Sequence, residues 1–263
     1  MTSAGWRRRA LGLVAIATAV LAALFFFEPP VAQNPAYFQF ADQRELFGIA
    51  NSLDVLSNLG FLMVGMLGLA WVIRHPPGAD RSYLSAWERF VNGLFFSGVL
   101  ATALGSAWFH HHPDIHSLVW DRLPMTVSFM ALLALIIAER MGLKTARILL
   151  PFLVLFGSGS VFWWAWGEAH GHGDLRPYVF VQFFPLLAIL LLLALFPPRY
   201  TRTRDLIGMI GWYALAKLFE FYDAQIFALG HWVSGHTLKH LAAATATYWI
   251  YRQMKLRRPL QTA

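Results

Sequence analysis

Cysteine is absent from this 263-residue chain, and charge is scarce, with 13% of residues being Asp, Glu, Lys or Arg. The first absence excludes disulfides, thiolate metal sites and cysteine nucleophiles. It leaves ten histidines as the soft-to-borderline metal ligands. The second absence, set against about 25% charged residues in ordinary soluble domains, argues against a soluble enzyme. Acidic residues are the rarer sign, 14 against 21 Lys plus Arg, and the formal charge of +7 raises the question of nucleic acid. Such binding needs a basic patch beside stacking aromatics on an exposed face. Here the bases sit between apolar runs, where they read as topology signals, so no nucleic-acid partner is expected.

What is abundant is apolar surface: 57% of residues are hydrophobic, including 22 Phe, 11 Trp and 8 Tyr. The mean hydropathy of +0.50 over the whole length implies several lipid-facing helices and an integral membrane protein. The apolar runs fall near residues 10–27, 52–73, 90–109, 119–138, 147–166, 178–196, 206–226 and 236–251, which predicts eight helices. The breaks carry turn chemistry: Pro29 and Pro30, then Pro76, Pro77 and Gly78, then Pro113, then Pro197 and Pro198. None of the runs alternates with a period of two, and a bilayer admits only helices or closed barrels, so an all-α single bundle is expected. The first run follows Arg7, Arg8 and Arg9. It exceeds the usual apolar length of a signal peptide and lacks a clear small-residue cleavage site, so it reads as a retained helix within a segment 1–35.

With the N-terminus placed in the cytoplasm, 16 of the 21 Lys plus Arg collect on inner segments and only Arg44 and Arg176 on outer ones. The positive-inside rule then places both termini in the cytoplasm, in a bacterial-type inner or plasma membrane. The same orientation puts every histidine except His75 on the outer side. Polar and ionisable groups in spans are costly in hydrocarbon, and they mark sites.

The densest constellation is the segment GSAWFHHHPDIHSLVWDRLPM. Ser106 and His110 are four apart and share a helix face near its outer end, while Asp121 opens the neighbouring helix after a short loop. In SGHTLKH, His236 and His240 are again four apart in the outer part of the last helix. Three imidazoles from two helices can therefore converge, and three His with an open fourth position form a catalytic zinc arrangement that activates water. HxxxH pairs also serve as interhelical hydrogen-bond partners or haem ligands, and spacing leaves these readings open. His111 and His112 point away from His110, and His170 and His172 read as solvated loop residues.

Asn51, Asp54 and Asn58 share a face at the outer end of the second helix, where they line the same cavity or bond neighbouring helices. Lys217, Glu220 and Asp223, with Lys239, read as intramembrane ion pairs or as a relay or substrate contact. Asp42 and Glu45 are either a surface pair or oxygen ligands for a hard cation.

Taken together, SxxxH (Ser106, His110), an Asp eleven residues on (Asp121, followed by Pro124 and Met125) and a late HxxxH (His236, His240) resemble the alkaline ceramidase family. That family lies within the membrane-hydrolase superfamily that includes the adiponectin- and progestin-receptor proteins. The resemblance spans about residues 40–252 and implies a seven-transmembrane-helix bundle over 36–263, with residues 1–35 contributing an additional N-terminal helix. It implies that His110, His236 and His240 bind Zn2+, and that Ser106 and Asp121 act on the attacking water or the tetrahedral intermediate. Ser57 and Asn58 also resemble the family's first core helix. The family's acidic calcium-binding cluster is not matched: Asn51 stands where Glu is expected, and only Asp42 and Glu45 precede it, which speaks against Ca2+ dependence. The expectation is a zinc-dependent hydrolase that cleaves the amide of an N-acyl, ceramide-like membrane lipid, with Phe- and Leu-rich walls holding the acyl chain and no charged head-group contacts. A lipid-binding receptor or sensor of the same superfamily is the second reading, and a metal or proton transporter the third. The transporter reading requires ionisable residues in the cytoplasmic half of the helices, where almost none occur.

Overall fold

The structure is a computed structural model, and it describes residues 3–77, 83 and 85–260. Gly78, a turn signal in the sequence, and Arg81, one of the 16 inner-side bases, lie outside the described residues. The fold is all helical, with no strand among the described residues. The elements are α1 (Ser3–Phe27), a short 3-10 turn (Pro35–Phe38), α2 (Ser52–Ser57), α3 (Leu59–Arg74), α4 (Ala86–His111), α5 (Ile115–Arg140), α6 (Leu143–Ala169), α7 (Arg176–Leu195), α8 (Thr203–Phe221), α9 (Asp223–Ala228) and α10 (Gly235–Leu256). Among the described residues six helical segments are long and apolar enough to cross a membrane: α1, the joined α2 and α3, and α4 to α7. The two further apolar runs form α8 and α10, which are long but carry Asp205, Lys217 and Glu220, and Lys239, Arg252 and Lys255.

Helix α5 is the axis of the bundle: every residue from Met130 to Arg140 is buried. A helix apolar all round its circumference has no face to spare for solvent or lipid, so neighbours must enclose it. It packs on α4, α6 and α7, while α10 packs on α3 and α8. Two glycines let α4 approach α5 closely. A Cβ on Gly105 would collide with the Trp120 carbonyl oxygen, and one on Gly98 with the Ser128 hydroxyl. Trp120 is the residue whose carbonyl Pro124 cannot serve, because proline has no N–H. This contact holds the turn that carries Ser106 against the turn that carries Asp121.

The start of α5 differs from the hydropathy reading. Its N-cap is Asp114, which accepts the Ser117 N–H at 2.6 Å, while the Ser117 hydroxyl accepts the Asp114 N–H at 3.1 Å. That backbone N–H of Ser117 holds the Asp114 carboxyl below its ordinary pKa. Capping chemistry is polar, so a hydropathy window trims it from the helix. Asp121 accordingly lies inside the helix, nearly two turns past the Asp114 cap.

Helix α1 stands outside the bundle against α7. Trp6 meets Phe196 edge-on, Arg9 donates to the Leu195 carbonyl, and at the other end Arg176 donates to the Glu28 carbonyl at 2.7 Å.

Candidate metal centre

His110 comes from the last turn of α4, and His236 and His240 from the first two turns of α10. The structure brings all three together: one ring nitrogen from each lies within 4.8 Å of the others, and all three side chains are buried. The Nε2 atoms of His110 and His236 are 3.3 Å apart. Two ligand nitrogens at about 2.0 to 2.1 Å from a tetrahedral zinc stand roughly 3.3 to 3.4 Å from each other, so this edge has the size the ion requires. Phe40 closes the pair from one side, its ring 4.6 Å from that of His110 and 5.2 Å from that of His236.

The orientation of His240 follows from hydrogen-bond polarity. Its Nδ1 lies 2.7 Å from the Ser57 hydroxyl and 3.2 Å from the Asp54 carbonyl. The Ser57 O–H donates to that same carbonyl at 2.8 Å, so the Ser57 oxygen accepts. Nδ1 must therefore carry the proton, which leaves the Nε2 lone pair bare for a metal. Ser57→Ala should weaken metal binding by about 10- to 100-fold, the range for losing a hydrogen-bond partner of a ligating His, with the helical fold retained. Metal titration alongside circular dichroism checks it.

The polar face of α2 does structural work at this end. Asn51 donates to the His110 carbonyl at 2.7 Å, and Asp54 accepts from Thr237 at 2.6 Å and Ser234 at 3.2 Å. Asn58 donates to the Asp54 carbonyl at 2.9 Å. Asn51 ties this segment to α4 and Asp54 ties it to the start of α10, while Asn58 bonds within its own helix, and none of the three lines the cavity. Asp223 likewise is no partner of the lysines: it accepts the His236 backbone N–H at 2.7 Å. Gly235 permits this seat for α10, since a Cβ there would collide with the Phe219 carbonyl. Asp42 is not assembled with Glu45 into a cation site. Burial pushes its carboxyl up, but Arg44 overrides this and holds it below its usual pKa, with Arg44 Nε at 2.7 Å, while Glu45 is exposed.

Beside the triad a cavity of about 410 Å³ opens, lined by Ser106, Asp121, Lys239 and His240. Ser106 and Asp121 face the same cavity from α4 and α5. The walls continue along one face of each of three helices: Thr102, Val99 and Phe95 on α4, Met125, Phe129 and Leu132 on α5, and Ala243, Ala246 and Ile250 on α10. Because α4 runs toward the histidines while α5 and α10 run away from them, all three series lead in the same direction, into the bundle. From Asp121 to Leu132 the helical rise is about 16 Å. The result is an apolar slot with polar groups at its head.

Further polar contacts line the cavity beside the histidines. Glu220 bonds Lys217 at 2.6 Å and Lys239 at 3.3 Å, so the ion-pair reading of these three holds. Lys239 Nζ also lies 2.7 Å from His236 Nε2, and an ammonium can only donate there. A metal on the three histidines competes for that lone pair, so Lys239 would retain Glu220 alone when a metal binds. Arg122, next to Asp121, lines the cavity as well.

Neither a protein-family model nor a curated protein matches this chain. The case for the site therefore stands on its own geometry: a helical membrane-type bundle with a buried three-histidine cluster that could bind a metal ion.

Proposed function

We propose that this chain is a zinc-dependent intramembrane hydrolase that cleaves the amide bond of an N-acyl lipid with water, as its resemblance to the alkaline ceramidases implies. The observation that carries the proposal is the placement of Ser106 and Asp121, beside a three-histidine cluster, at the head of an apolar slot. In this reading α8 and α10 complete seven core spans, α1 is an eighth, and both termini are cytoplasmic.

His110, His236 and His240 would hold the ion, which when bound supplies Lewis acidity to polarise a carbonyl and to bring the pKa of water down to about 7. The residues of the chain do the rest. The slot takes the acyl chain and sets the amide carbonyl at the level of Ser106 and Asp121. The Asp121 carboxylate accepts the proton of the attacking water and passes one to the amine nitrogen as the C–N bond breaks. The Ser106 hydroxyl, free to rotate, donates to the oxygen that gains charge. Apolar burial keeps bulk water away and strengthens both interactions.

Purified protein should carry about one zinc per chain, as three convergent neutral imidazoles require. It should release fatty acid from a panel of N-acyl lipids, and chelator should abolish the release with zinc restoring it. Elemental analysis and product chromatography on one preparation decide the matter. Haem iron, or turnover indifferent to chelator, would sink the proposal; zinc without any product would favour the receptor-like reading.

A further inference from the structure

Arg122 is a cation inside the bundle that the hydrolytic scheme leaves unused. Its side chain is 5% exposed, and its guanidinium lies among rings, 4.3 Å from the Trp164 centroid, 4.7 Å from Tyr178 and 5.4 Å from Tyr37. Its Nη2 donates to Gln33 Oε1 at 2.8 Å, while Nη1 is buried with no hydrogen-bond partner. Arg122 forms no ion pair with a carboxylate among the described residues, and Glu168 spends its Oε1 on the Gln33 N–H and the Trp164 indole. The contrast within the bundle is plain, because Lys217 and Lys239 share Glu220 and Arg140 pairs with Glu139. A buried cation with an unpartnered N–H and no carboxylate in ion-pair contact is costly, and an anion brought by a ligand removes that cost.

The position of Arg122 says which part of a ligand would meet it. Its partners come from the segment before α2 (Gln33, Tyr37), the end of α6 (Trp164) and the start of α7 (Tyr178). They lie at the loop end of the cavity, and the apolar slot leaves Asp121 in the other direction. A lipid with its acyl chain in the slot and its carbonyl at Asp121 therefore presents its amine-side substituent to Arg122. A planar guanidinium edge matches a carboxylate better than a hydroxyl.

We infer that Arg122 is the receptor for a carboxylate on the amine side of the substrate, so that the ligand class is the N-acyl amino acids rather than neutral ceramide-like lipids. This inference rests on the hydrolase reading for the direction in which the lipid lies, and it replaces the expectation of a head group without charged contacts.

Binding without turnover tests it. The probe is the ketone isostere of N-dodecanoylglycine, in which a methylene replaces the amide nitrogen, compared with its methyl ester on the purified zinc-loaded protein by calorimetry. The acid should bind about 10-fold or more tightly than the ester, the effect of a charge-assisted hydrogen bond in a buried site. Arg122→Gln should bring the two to parity, and Arg122→Lys should restore part of the preference. Equal affinities in the native protein, a comparison that needs no variant, or a preference that survives in Arg122→Gln would overturn the inference. The acid preference paired with no hydrolysis of N-dodecanoylglycine would leave the carboxylate site standing and remove the hydrolase reading. Hydrolysis of N-dodecanoylethanolamine with equal binding of acid and ester would do the reverse.

Discussion

Asp121→Asn should leave the zinc content of the purified protein unchanged and lower hydrolysis of an N-acyl lipid by roughly 100-fold or more, the scale of losing a positioned general base. The substitution keeps the shape of the side chain but removes the group that accepts a proton. The competing structural roles have become narrow. The helix cap belongs to Asp114, and the Arg122 guanidinium turns to Gln33 and aromatic rings, with no ion pair to Asp121 among the described residues. Measured on one preparation, retained zinc with near-normal turnover would remove Asp121 from the chemistry, and lost zinc would make it a support of the metal site. Ser106→Ala should act in the same direction but less severely, because the ion would retain most of the charge stabilisation.

The second large effect is expected at His240. His240→Ala removes a ligand and also a tie, since the imidazole joins α10 to α2 through Ser57 and the Asp54 carbonyl. Metal affinity should fall by more than the roughly 10- to 100-fold expected for Ser57→Ala. An ion that binds only the folded state stabilises it by about 4 kcal/mol at a free concentration near 1,000 times its Kd. Chelator should therefore lower the melting temperature of the native protein, and the His240→Ala protein should melt low and show no response to either chelator or zinc. A variant that still responds to zinc as the native protein does would mean that His110 and His236 bind the metal without it.

Much of this site is local and could be read along the chain. Ser106 to His110 and His236 to His240 are one helical turn apart, and a period of 3.6 residues places such pairs on one face whatever surrounds them. The same periodicity is present in the slot, as Phe95, Val99, Thr102 and Ser106 show on α4. Which face of the helix turns inward is not a local property. It follows from how Gly98 and Gly105 seat α4 on α5, and that depends on the Trp120 carbonyl of another helix.

By itself the sequence determined an all-helical, membrane-type chain, because the apolar runs leave no other way to satisfy the backbone in hydrocarbon. It also left histidine as the soft-to-borderline candidate for a metal ligand, because cysteine is absent. Only the tertiary structure decided that three imidazoles meet, that Ser57 sets the tautomer of His240, and that Asn51 and Asp54 hold helices together outside the cavity. It alone placed Lys239 against His236 and left Arg122 among rings without a carboxylate. The physical reason is distance along the chain: Ser57 and His240 are separated by 183 residues, and Gln33 and Arg122 by 89. Hydropathy and spacing act over a turn or two, whereas the partners that give a buried polar group its role arrive from helices whose relative rotation is set by packing across the whole bundle.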